Sequence, residues 1–225
     1  MQHQENVDWQ MARSHVYGLL GSLLSERPGE KTIGPLLRPE AVDYLETMFA
    51  DPQVGSRFHQ LADQYSTGKI STEQVALDFE GLMRVPGETY TYPYESVYRA
   101  RRKGEESLKW GGLYGSQARD AERYYHSEGL EPSYERVDFA DHIGAELTFM
   151  AHLCRKTAEA LQTEKVDTCE HLQSKQQEFA KNHLLTWAED FSGELRIKAV
   201  TPFFQGVADM LFAFMELEKS QLTTH

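Results

Sequence analysis

Cysteine is nearly missing from this 225-residue chain: Cys154 and Cys169 stand alone, with no Cys-x-x-Cys pair. That excludes a disulfide framework and a thiolate zinc site, suits a reducing compartment, and predicts two packed thiols. Positive charge is scarce too. With 23 Lys+Arg against 35 Asp+Glu the formal net charge is −12, which repels nucleic acid and anionic membrane and favours a cationic partner such as a basic peptide. Long apolar runs are absent. The most apolar stretch, 207–217, is interrupted by Asp209 and Glu216, so no stable membrane insertion is expected. The opening MQHQENVDWQ is acidic and polar and does not read as an export signal, which places the chain in the cytoplasm.

Catalytic signatures are equally sparse. There is no Gly-x-Ser-x-Gly, no His-Glu-x-x-His and no phosphate-binding Gly-Lys loop, and Gly111, Gly112 and Gly115 follow no strand. No Glu has a His three residues later, so the ligand spacing of a di-iron bundle is lacking.

What is present is helical periodicity. From Trp9, apolar Met11, Val16, Leu19, Leu20, Leu23 and Leu24 return to one face until ERPGE breaks the helix. Pro39 opens a second helix, a third stops at Gly68, and Ser71 with Gln74 has capping-box spacing for a fourth. The stretch from Pro86 to Gly115 reads as one irregular, tyrosine-rich segment, of the kind that carries function. A helix over 116–127 ends near Gly129. The spacing then predicts a helix over 138–162, another from Asp167 to about Phe191, and a last one with Thr201 as cap and Pro202 at its first position. No strand alternation appears. The expected fold is all-α, one bundle-like domain with an N-terminal lobe 1–127, a hinge 128–137 and a C-terminal lobe 138–225.

Two clusters could carry chemistry. On a helix, Asp138, His142 and Glu146 would form one polar stripe, with Asp141 beside it. They read either as helix caps, Asp138 at the N-cap with Asp141 in a capping-box-like role, or as a site. A metal would need a third ligand such as His152 or His183. Tyr94, Glu95 and Tyr98 could line a groove for a peptide with apolar and basic side chains, or pack as core under a loop. Arg99, Arg101, Arg102 and Lys103 form the one basic run, a solvated face or a weak anion site. His183, Leu184, Trp187 and Phe191 read as the packing face of a helix.

Three segments, YPYESVY, DFADHIGAELTFMAHL and EFAKNHLLTWAEDF followed by PFF, together resemble the successive signatures of the TorD/DmsD family. These are cytoplasmic chaperones that mature molybdenum enzymes before export. The resemblance implies an all-helical fold without catalysis, binding of the twin-arginine signal peptide of a molybdenum-cofactor oxidoreductase, and help in inserting its cofactor. It also implies a monomer or a domain-swapped homodimer exchanging lobes at the 128–137 connector. By position it places the signal-peptide site on Tyr94, Glu95, Tyr98, Asp138, Asp141, His142 and Glu146. Arg99, Arg101 and Arg102 are candidates for transient contact with molybdopterin guanine dinucleotide or GTP, with no tightly bound cofactor or metal expected. Ala140 departs from the family, which usually has proline before its Asp-His pair. The competing expectation is a helical metal-dependent hydrolase centred on Asp141 and His142.

Overall fold

The computed structural model describes residues 2–49, 52–104, 115–132 and 138–223. Among them the chain forms eleven α-helices and no strand: α1 (Gln2–Ser25), α2 (Glu30–Leu36), α3 (Pro39–Phe49), α4 (Pro52–Ser66), α5 (Thr72–Phe79), α6 (Glu95–Arg102), α7 (Ser116–Ser127), α8 (Ile143–Gln162), α9 (Val166–Asn182), α10 (Ala188–Lys198) and α11 (Pro202–Thr223). The fold is all-α, and no helix among the described residues is long and apolar enough to cross a membrane.

Backbone packing divides the chain into two compact units, one made of residues 1–25 and 94–187, the other of 26–93 and 188–225. The stretch 128–137, expected as a hinge, lies by sequence inside the first unit, and its residues 133–137 are outside the described residues, as are 105–114 of the tyrosine-rich segment.

The first unit is built on the pairing of α1 with α8. Gly21 makes it possible: a methyl group there would lie 2.7 Å from Thr148 Oγ1 and 3.2 Å from the Gly144 carbonyl oxygen, and one on Gly144 would meet Gly21 O at 3.0 Å. The two backbones are therefore in direct contact, and Tyr17, Leu20 and Leu24 on α1 are buried, as are Leu147, Met150 and Cys154 on α8. Ser14 Oγ donates to Ala151 O at 2.9 Å on the same seam. Both cysteines are buried thiols, and neither is in a disulfide.

In the second unit an aromatic core joins α4, α5 and α11. Phe203 packs edge-on against Phe58 at 6.5 Å and Phe204 lies 6.1 Å from Phe79. The expected capping box at Ser71 and Gln74 is formed in both directions, at 3.2 and 2.8 Å. The entry of α11 is held from a distance: Asp78 accepts hydrogen bonds from Val200 N, Thr201 N and Thr201 Oγ1 at 3.2, 2.8 and 2.6 Å.

Three helix boundaries differ from the sequence-based expectation. The short α2 forms despite Gly34 and Pro35, anchored by fully buried Ile33. The helix expected to run to Phe191 ends at Asn182, where His183 takes φ −119° and ψ −94° and a 3-10 turn over Leu184–Thr186 follows. The helix expected from Asp138 begins at Ile143, and its N-cap is His142.

Candidate functional site

The tyrosine-rich segment contains a helix that its composition hides. α6 has Tyr94 as N-cap residue with no side-chain cap of its own. Asp141, 45 residues beyond Ser96, supplies one: its Oδ2 accepts from Ser96 N at 3.0 Å, and its carbonyl accepts from Glu95 N at 3.0 Å. A carboxylate at this position also complements the helix dipole. Tyr94 and His142 face each other as an isolated antiparallel bridge, their rings edge-to-face at 5.4 Å. Residues 138–142 are thus not helical, and the polar stripe expected of Asp138, His142 and Glu146 does not form. Instead His142 turns its ring back, and Nδ1 accepts from Gly144 N at 3.0 Å to cap α8.

This junction gathers a buried acidic cluster within the first unit. Glu95, at the start of α6, has its Oε1 2.6 Å from Arg99 Nη1 and its Oε2 2.7 Å from His183 Nδ1. Glu146, on the first turn of α8, accepts from Trp187 Nε1 at 3.1 Å through Oε2, while its Oε1 and the Oδ1 of Asp141 have no hydrogen-bond partner. Three carboxylates, Glu95, Asp141 and Glu146, are fully buried beside one guanidinium that is 38% exposed. Burial, reinforced by the Glu95 charge, pushes the Glu146 carboxyl well above the ordinary range, against the pull of the Trp187 hydrogen bond. Burial also raises Asp141, opposed by hydrogen bonds from Ser96.

Of the seven residues expected to line an acidic groove, Glu95, Asp141 and Glu146 are completely covered and Tyr94, Tyr98 and His142 nearly so. Asp138 is the exposed member, accepting from the Tyr94 hydroxyl at 3.1 Å. Tyr98 packs against Trp187 at 5.3 Å, with Arg101 5.0 Å above its ring. Arg99 is turned to Glu95, whereas Arg101 and Arg102 are exposed. His183 and Trp187 were read from the sequence as packing; they are buried, but both bond to the cluster. Their spacing was visible, and the helix break at His183 that aims them was not.

Ligating atoms of Glu95, Glu146 and His183 come within 4.8 Å of one another, the one such group found among the described residues. A divalent ion there would compete with the Arg99 guanidinium on Glu95 and with a proton on Glu146. The hydrolase arrangement on Asp141 and His142 is disfavoured, since Ser96 N occupies Asp141 Oδ2 and the cap of α8 occupies His142 Nδ1.

The sequence profile described as nitrate reductase delta subunit matches residues 50–192, which contain α6, the 138–142 turn, α8 and the His183 break. The chain belongs to the nitrate reductase delta subunit family. The three TorD-like segments read from the sequence fall inside this match, apart from the terminal PFF. Curated relatives extend the similarity over nearly the whole chain. The chaperone protein TorD of Colwellia psychrerythraea is 22% identical over 234 residues, covering 96% of this chain and 93% of that one. Those of Shewanella pealeana and Photobacterium profundum are 24% and 25% identical, covering 93% and 97% of this chain and 89% and 98% of theirs. These members of the family are named as chaperones and not as enzymes, and no catalysis is assigned to this chain.

Proposed function

We propose that this protein is a maturation chaperone for a molybdenum-containing oxidoreductase, holding the arginine-bearing leader of the precursor at the junction of α6 with the turn before α8 while the cofactor is inserted. The observation that carries the reading is a charge imbalance. Three buried carboxyl groups share one guanidinium, so burial holds Glu146 and Asp141 toward the protonated form and an entering cation would be met by carboxyls that ionise on its arrival; charge-assisted bonds from an arginine to a carboxylate are among the stronger polar contacts. The net charge of −12 draws a basic segment toward the chain. Asp138 offers the exposed point of first contact, held by the Tyr94 hydroxyl, and the buried rings of Tyr94 and Tyr98 support it from behind.

Calorimetry with a synthetic leader, two adjacent arginines ahead of a leucine-rich stretch, tests this. The expected result is saturable binding that weakens when Asp138→Ala and Tyr94→Phe are combined. Full affinity in that double variant would move the site elsewhere. No binding of any such leader to the native chain would remove the function.

A further inference from the structure

We propose that Arg99 is an internal stand-in for a partner's arginine: it occupies the seat at Glu95 that the guanidinium of a bound peptide takes by exchange. The identity of the partner rests on the leader-binding reading; the seat itself is defined by the chain's own atoms.

The seat has two acceptors. Arg99 Nη1 donates to Glu95 Oε1 at 2.6 Å and to the backbone carbonyl of Asn182, the last residue of α9, at 3.1 Å. A carboxylate beside a helix C-terminal carbonyl attracts a cation from any source. The two ends of the Arg99–Glu95 pair differ sharply in exposure, 38% against none. Arg99 lies on the last turn of α6 and can swing out to water, where its charge is solvated. Glu95 has no such freedom, because it starts that helix and His183 holds its other oxygen.

The cluster is also under-served with donors. A guanidinium carries five N–H groups, yet Glu146 Oε1 and Asp141 Oδ1, both in fully buried side chains, have no hydrogen-bond partner. These unpartnered oxygens mark the cluster as a place with more capacity for a donor than Arg99 fills by reaching back one turn along its own helix, Glu146 giving up the proton that burial holds on it when a cation arrives. An arginine entering from outside is not tied to the α6 backbone and can approach at an angle that Arg99 cannot adopt. Exchange, rather than addition, follows from the pairing: Glu95 Oε1 is taken by Arg99 and Oε2 by His183, so an incoming guanidinium must displace a donor already there.

The test is competition. The probe is a synthetic peptide with two adjacent arginines ahead of a leucine-rich stretch, with a two-lysine peptide as control, titrated into the full chain and into Arg99→Gln, Arg99→Ala and Arg99→Lys. Because a tethered competitor acts at high effective concentration, its removal should tighten arginine-peptide binding about ten-fold. The lysine peptide should gain less, lacking the planar fork. Adding Glu95→Gln to Arg99→Gln should abolish the gain. Circular dichroism melting reports folding; if the neutral variants unfold, Arg99→Lys keeps the charge and should show a smaller gain of the same sign. Equal or weaker binding in folded Arg99 variants, with the native chain still binding, overturns the exchange and leaves leader binding standing. No binding in any of them overturns both.

Discussion

His183 Nδ1 lies 2.7 Å from Glu95 Oε2, joining residues 88 positions apart, and both side chains are buried. The contact fastens the start of α6 to the turn that follows α9. Removing the imidazole leaves a buried carboxylate one donor short, with Arg99 still on its other oxygen. We expect His183→Ala to lower stability by about 2–3 kcal/mol, and His183→Gln by less, since an amide can still donate. Urea unfolding measures both; a loss below about 0.5 kcal/mol in the alanine variant would show that the pair contributes little.

The raised carboxyls set a pH dependence. Glu146 is held above its ordinary 4.5, so the folded chain keeps a proton there that the unfolded chain releases. Its contribution is most favourable below 4.5 and is lost as pH rises toward the folded value, and Asp141, raised from 3.8, acts in the same direction. Glu146→Gln cannot ionise. Its unfolding free energy should fall less steeply than that of the native chain between about pH 5 and 8. Identical slopes would mean that Glu146 does not retain its proton.

Two glycines on α1 should respond oppositely to a methyl group. At Gly21 it would collide with Thr148 Oγ1 and the α8 backbone, whereas at Gly18 its nearest neighbour is Ala151 Cβ at an ordinary 3.8 Å. Gly21→Ala is expected to cost about 1–3 kcal/mol through overpacking, while Gly18→Ala should be neutral or stabilise by up to about 1 kcal/mol through helix propensity. Thermal melts of the pair decide it, and equal effects would place the close approach elsewhere.

Asp78 holds the α11 entry from another helix. Asp78→Ala strands two backbone N–H groups and the Thr201 hydroxyl, for an expected loss of about 2 kcal/mol. Hydrogen exchange should quicken at the α11 N-terminus before it changes in α8. Protection lost equally in both would assign Asp78 a general role.

The elements legible in the sequence were those whose signals are local. The breaks at Pro28 and Gly68, the Ser71–Gln74 box, the 116–127 helix and the Pro202 start each rest on residues within a turn of one another, and all appear as expected. α6 was missed because its cap, Asp141, lies 45 residues beyond Ser96, and the polar stripe over 138–146 failed because the bonds of Asp141 to Ser96 and of His142 to Tyr94 hold residues 138–142 in a turn. His183 was read as packing because nothing beside it in sequence announces Glu95.

By itself, then, the amino-acid order determined an all-helical, strongly acidic chain of a recognisable family, since helical period, charge and motif succession are properties of neighbours. Which way the acidic side chains face was decided only in three dimensions. A carboxylate turns outward to water or inward to a donor according to whether a donor is waiting, and here the donors Ser96 N, His183 and Trp187 arrive from segments 41 to 88 residues away.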